Sequence, residues 1–470
     1  MTSATISTRE AARRKLVWLI TFIYLVLIFE GVLRKWLFPS ASQALFFIRD
    51  PFVLVAYWLA LRHDFFEPRG LVFKASIGFG VLGILLGAIQ LLSIGAGVQG
   101  LLLLEGYGWR NYFFYIPLAF VIGATFQRAD LERIVKITLL IAIPMSALAF
   151  LQYVSPLNSP INVGIASDSA AQFHGLTVDK DHTRPMGTFT SNVGQKQFIT
   201  SALAMVLGLW IAPAARRFVK LWLLIPATGA VLACLAVSGS RGAMLHCGIV
   251  LIAAIFCAAV IRKGGISVRA LVLPVVIGVA AVMLYPILFP DSYASFMWRW
   301  DAAAVSETRY FKWGVVGRAL YGFVEFIGLM GDTPLAGYGL GVAGNASIML
   351  GVQNITGFTG WAEADWSRHI VDLGPVVGVL FIGYRVLFTS WLGLRSLAGS
   401  RRQADPLAVM LFAYVSFELL TGQVTGHGSV NGYVWLFTGF CFAAFARSTV
   451  KAESASPAAV PAPRFANLMR

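Results

Sequence analysis

Apolar residues in this chain come in blocks about as long as a bilayer is thick. Runs stand at roughly 16–37, 44–62, 71–95, 109–127, 132–154, 194–212, 219–238, 242–262, 269–289, 368–391, 405–425 and 430–447. Most approach the ~20 helical residues that cross ~30 Å of hydrocarbon. The pattern predicts an all-α, polytopic membrane bundle of about twelve transmembrane helices. The second run is interrupted by Arg49, Asp50 and Pro51. The first is too long for a signal peptide, and no small-residue cleavage site follows it.

Polar stretches between the blocks predict the rest of the layout. Two loops are long, at about 155–193 and 290–367, the larger lying before the tenth span. Within it, Phe311, Val315, Leu320, Phe323 and Ile327 recur at helical spacing between Ser306 and Met330, which suits a helix on the membrane surface or over a cavity. Residues 1–447 read as one transmembrane domain. Residues 448–470, with Pro457, Pro461 and Pro463, read as a disordered cytoplasmic tail.

Composition agrees with this class. Hydrophobic residues make up 58% of the chain and charged residues 13%, and the mean hydropathy of +0.74 leaves too little polar surface for a soluble fold of this length. The net charge of +15 is distributed by topology. Basic clusters such as Arg13–Lys15, Arg128–Lys136, Arg216–Lys220 and Arg401–Arg402 mark every second loop, as the positive-inside rule expects when both termini are cytoplasmic. The charge therefore addresses membrane lipids, not nucleic acid. Arg34, Lys35, Arg49, Arg110, Lys180, Arg184, Lys196, Arg241, Arg299, Arg309, Lys312, Arg318 and Arg368 fall instead on or near the outer side, and Arg385 lies within a span. Helix packing gives no evident need for so many cations.

Three outer stretches carry candidate chemistry. Arg184–Asn192 leads into the sixth span. Ser238-Gly-Ser-Arg-Gly242 turns between spans seven and eight, offering backbone donors and a planar guanidinium suited to phosphate; a hairpin whose arginine reaches lipid headgroups is the structural alternative. In the third, Asp365, Arg368, His369 and Asp372 share one helical face just after Glu363, and an Arg368–Asp372 ion pair would account for part of it. Cys234, Cys247, Cys257 and Cys441 sit in apolar runs as core residues. No histidine pair has metal-site spacing, so neither a protein-bound metal nor a cofactor is expected.

With Arg184…Gly187-Thr-Phe189, Ser238–Gly242, Arg318 sixteen residues before Pro334-Leu-Ala-Gly-Tyr-Gly-Leu-Gly341, and Asp372-Leu-Gly374, the chain resembles the O-antigen ligase and O-antigen polymerase superfamily of bacterial envelope proteins over roughly residues 70–445. The resemblance implies a bacterial inner-membrane enzyme. It would move an oligosaccharide from an undecaprenyl-diphosphate carrier to an acceptor sugar at the periplasmic face without a metal. It implies Arg184, Arg241, Arg318 and Arg368 on the diphosphate, a base drawn from Glu363, Asp365 and His369, and a chain-length regulator as a further partner. Ligases and many polymerases of this superfamily carry a histidine where this chain reads Ala362-Glu-Ala-Asp365. That favours a polymerase, with a lipid-linked acceptor, over a ligase acting on lipid A core. A transporter or flippase using the same residues is the alternative of another class.

The charge map has a direct test. A fluorescent protein joined after residue 446 is expected to glow in cells, and alkaline phosphatase at that site to stay inactive. Active phosphatase there would reverse the orientation.

Overall fold

The computed structural model describes residues 3–66, 70–94, 99–164, 182–261, 268–344 and 364–446, with Ser347, Phe358 and Ala362 besides. Every regular element among them is helical. Glu363, most of the first long loop, much of the 345–363 segment and the tail from 447 lie outside the described residues.

A helix stands at each place where the apolar blocks predict one, and a further helix, Gln99–Trp109, lies between the third and fourth blocks. In chain order these are α1 (Ser3–Val32), α2 (Asp50–Arg62), α3 (Leu71–Ile94), α4 (Gln99–Trp109), α5 (Ile116–Thr125), α6 (Arg128–Val154), α7 (Asn192–Ile211), α8 (Leu221–Val237), α9 (Arg241–Val260) and α10 (Val268–Leu288). The large loop holds α11 (Pro290–Tyr310), α12 (Gly314–Tyr321) and α13 (Glu325–Leu329), and the chain closes with α14 (Asp365–Gln403), α15 (Leu407–Thr421) and α16 (Gly428–Phe445). Seven helical stretches among the described residues are long and apolar enough to cross a membrane, and α8 and α15 are apolar but shorter. α7 and α16 differ in kind: almost every residue of each is buried against other helices. A helix wrapped by protein can carry polar groups such as Gln195, Gln197 and Asn431 inward, where each bonds a neighbour: Cys234, the Tyr414 hydroxyl, and the Asn111 and Val424 carbonyls.

Contacts between loops sort the helix ends. At one end Arg13 pairs with Asp130 at 2.8 Å and caps the Thr125 carbonyl. There too Arg128 pairs with Asp405, Arg216 reaches the carbonyls of Gln403 and Ala404, and Arg402 donates to the Phe445 carbonyl. Most of the basic clusters of alternate loops thus gather at one end. About 33 Å along α1 from Arg13, at 1.5 Å per residue, Lys35 donates to Gly187 at 3.1 Å. That opposite end carries the candidate chemistry.

Two expectations need correcting there. The surface helix expected over Ser306–Met330 is three pieces, since the chain turns at Phe311–Trp313 and again at Gly322–Val324. Gly314, at φ 54°, folds α12 back on the end of α11. The tenth span is not one straight helix either. Gly374 has φ 79° and ψ 165°, with Pro375 after it, so residues 365–373 form a short arm and 375–403 a long one. In a straight helix Asp365 and Arg385 would stand about 30 Å apart; here they touch at 2.5 Å. The two arms therefore lie side by side as a helical hairpin.

The glycine-rich segment Pro334–Gly341 straps this hairpin. Tyr338 N donates to the Val371 carbonyl at 2.8 Å, and the Gln90 amide donates to the Ala336 and Asp372 carbonyls at 2.5 and 2.7 Å. A Cβ on Gly374 would lie 2.1 Å from the Leu335 carbonyl oxygen, and one on Gly337 2.6 Å from that of Asp372. Gly374→Ala should therefore combine a backbone strain of about 1–3 kcal/mol with a backbone clash. A lower thermal unfolding midpoint in detergent is the expected result; an unchanged midpoint would show that Gly374 is not the hinge.

Candidate functional site

Arg241 opens α9 after the Ser238–Ser240 turn. The Ser240 hydroxyl accepts from Ala243 N at 3.2 Å as the N-cap, and Gly239 takes the positive φ that the turn requires. This local geometry points the Arg241 guanidinium at Glu307, in the last turn of α11. Its Nη2 and Nη1 donate to the two carboxylate oxygens at 2.6 and 3.2 Å. Arg318 Nη1 donates to the same carboxylate at 3.2 Å. Arg299 donates to the Gly239 carbonyl at 2.9 Å, and the Trp300 ring faces Arg241 at 5.5 Å. Glu307 thus brings together two arginines that are 77 residues apart in sequence. The Arg241 hydrogen bonds hold its carboxyl below the ordinary carboxylate value, so the pair persists at neutral pH and opens only as pH falls through that lowered value.

One turn past Arg241, Met244 and Cys247 line an apolar cavity of about 460 Å³ with Leu203, Leu207, Leu232 and Leu251. Val282, Leu284 and Leu288 also line it and are exposed on the flank of the bundle, so the cavity is a groove open to the side.

A second centre forms on the inner face of the α14 hairpin. Asp365 is fully buried and accepts from Arg385 at 2.5 Å, from the Thr425 hydroxyl at 2.8 Å and from Val424 N at 3.2 Å. Arg385 also donates to His369 Nε2 at 2.6 Å and to the Leu419 carbonyl at 2.9 Å. A guanidinium only donates, so Nε2 accepts and the His369 proton sits on Nδ1. Nδ1–H then donates to the Tyr112 hydroxyl at 3.0 Å, and that hydroxyl donates to Asp372 at 3.0 Å. Ala343 N holds the other Asp372 oxygen at 2.9 Å. The result is one continuous buried relay, Arg385–His369–Tyr112–Asp372.

The proposed diphosphate set is therefore not one cluster. Arg241 and Arg318 converge. Arg368 lies elsewhere, with Nε donating to the Ala362 carbonyl at 3.1 Å and its guanidinium packed on Gly426; Asp372, its expected partner, bonds to Tyr112 and Ala343 instead. The segment that follows Arg184, Pro185–Phe189, is buried. Gln152 accepts from Met186 N and Gly187 N at 3.0 and 2.7 Å, and a Gly31 Cβ would strike Thr188. That stretch wedges α1 against α6. The large loop bridges the two centres: Glu325 in α13 accepts from Ala364 N and the Ser367 hydroxyl at 3.2 and 2.7 Å.

Among the described residues, six of the thirteen outer cations pair with an acid, Arg241 and Arg318 sharing Glu307. Arg34 and Arg49 pair with Glu30, Arg110 with Asp50, Lys196 with Glu418, and Arg385 with Asp365. Glu30, Glu418, Glu307 and Tyr112 are polar residues that sequence reasoning passed over, and Arg385 is visible to it only as a charge within a span. An acid inside an apolar run, as at Glu30 and Glu418, is the signal that would have found two of them.

Arg385→Met should leave the Asp365 carboxylate buried without its counter-ion, a loss of about 3–5 kcal/mol. Adding Asp365→Asn should recover part of it, read as paired thermal unfolding midpoints. Equal midpoints for wild type and Arg385→Met would show that the pair carries no weight.

No known family model matches this chain and no curated protein matches it, so what these residues do rests on their own geometry.

Proposed function

We propose that this chain is a multi-pass enzyme of a bacterial inner membrane, with about twelve spans and both termini in the cytoplasm. In this reading it extends a polysaccharide at the periplasmic face by transferring a glycan from a polyprenyl diphosphate to a second lipid-linked sugar. The observation that carries this reading is the apolar groove between α7, α8, α9 and α10, whose lining includes Met244, one helical turn from the Arg241 that meets Arg318 at Glu307. An oily chain with a dianionic head fits such a pairing of surfaces, and the groove lies within the ~300–1,000 Å³ usual for ligand sites. The prenyl chain is thus assigned to α7–α10.

The chemistry follows from the bond that breaks. An acceptor hydroxyl attacks the anomeric carbon, the carbon–oxygen bond to the diphosphate opens, and the leaving group takes up negative charge. Arg241 and Arg318 stabilise that charge, as preorganised donors do in a site shielded from water. The hydroxyl proton passes to a carboxylate. Asp365 is neutralised by Arg385, and both nitrogens of His369 are engaged, which leaves Glu363 as the preferred base. Arg184 and Arg368 then serve outside the diphosphate seat.

A second reading has one observation in its favour. Lys196 and His246 meet Glu418 at 2.8 and 3.3 Å between buried helices, and ionisable groups inside a bundle also serve transport. Purified protein incubated with lipid-linked repeat units, with and without lipid A core, separates the readings. Longer lipid-linked chains are expected. Transfer to the core would make it a ligase, and no product would favour a transporter. Arg241→Ala and Arg318→Ala should each slow turnover by about 10²–10³-fold while the protein still inserts. Full-length polymer from both would remove the diphosphate assignment, and unchanged turnover in Glu363→Gln would move the base elsewhere.

A further inference from the structure

Two guanidinium groups aimed at one point repel each other, and something must hold them there when no anion is bound. Glu307 does so. Its two oxygens face the Arg241 fork at 2.6 and 3.2 Å, and one of them also takes Arg318 at 3.2 Å. A planar pair of anionic oxygens opposite a guanidinium fork has the shape of two phosphate oxygens. The carboxylate is almost wholly buried, at 2% exposure, whereas the Arg318 side chain is 44% exposed, so the seat is closed by the acid and open on the side of α12.

The turn that carries Glu307 is fastened on that one side. Its opposite flank presents Val305 and Tyr310, both at least three-quarters exposed, with Trp313 beyond them. The Phe311–Trp313 elbow and Gly314, at φ 54°, join it to α12. A short helix end held by ion pairs on one face, with a glycine elbow behind it, can leave its seat without unpacking the bundle.

We propose that Glu307 is a place-holding carboxylate, which occupies the diphosphate seat between Arg241 and Arg318 in the free protein and withdraws when the lipid diphosphate arrives. The inference rests on reading those arginines as diphosphate ligands. Substrate binding then moves the end of α11 and α12, and α13 passes that movement towards Ser367 and the α14 hairpin through Glu325. The seat stays preorganised without attracting stray anions, because an incoming anion must displace a carboxylate already in place. The apparent affinity is the intrinsic affinity multiplied by the fraction of molecules whose seat is open.

The test uses the full chain in detergent and farnesyl diphosphate as probe, with binding followed by calorimetry. Glu307→Gln should bind the probe about tenfold more tightly than wild type, the factor expected when a competing internal ligand is removed. Equal or weaker binding would mean that Glu307 orients the arginines and is never displaced, which overturns the proposal. A second measurement needs no variant. Amide hydrogen exchange over 307–318 in the wild-type protein should speed up at saturating probe, and unchanged or slower exchange would equally overturn it. If neither wild type nor Glu307→Gln binds farnesyl diphosphate, the functional reading itself falls. If the wild type binds and Glu307→Gln does not gain, only the place-holder falls.

Discussion

A charge enclosed by apolar helices must find an opposite charge, because the alternative costs several kcal/mol and neither water nor lipid is there to relieve it. The end of the bundle that carries the candidate chemistry is organised by this demand. Glu30 holds Arg34 and Arg49, Asp50 holds Arg110, Glu418 holds Lys196, Asp365 holds Arg385, and Glu307 holds Arg241. The Asp50–Arg110, Lys196–Glu418 and Arg241–Glu307 pairs join elements far apart in sequence. They fix which helices are neighbours at the end where apolar packing alone would leave the choice loose.

The hairpin of α14 shows how one such pair reshapes an element. Gly374 and Pro375 permit the reversal, and the strap Pro334–Gly341 holds it from outside. The Asp365–Arg385 pair and the His369–Tyr112–Asp372 relay hold it from within. The expected ionisable face at the start of the tenth span is therefore real, but it is turned towards the helix's own long arm. Asp365, His369 and Asp372 act together as a buried network, while Arg368, on another side of the helix, packs against Gly426.

The Arg241–Glu307–Arg318 cluster obeys the same rule with a different outcome. Its carboxylate lies in the last turn of α11, in the large loop, with an exposed flank and not in a packed span, and one of its arginines is half exposed. It is also the cluster beside the apolar groove. Pairs locked between packed helices suit architecture. A pair that is accessible on one side, followed by the Gly314 turn and next to an apolar groove suits an exchange of one anion for another.

The sequence by itself determined the helical class, the place of each apolar helix and the gathering of most basic loops at one end. These depend on block length and charge, which are local properties of the chain. It also picked out Arg241, Arg318, His369 and Asp365 as residues in unusual settings, since a charge beside a glycine turn or at the mouth of an apolar run is visible in one dimension. Only the tertiary structure decided which of them meet. Glu307 had no distinguishing neighbours in sequence, Arg385 looked like an isolated charge within a span, and Tyr112 looked like any aromatic in an apolar run. Their roles arise because Gly374 reverses a helix and Gly314 folds a loop, bringing together side chains between 11 and 260 residues apart. Pairing of that kind depends on distances through space, and hydrophobic periodicity does not encode it.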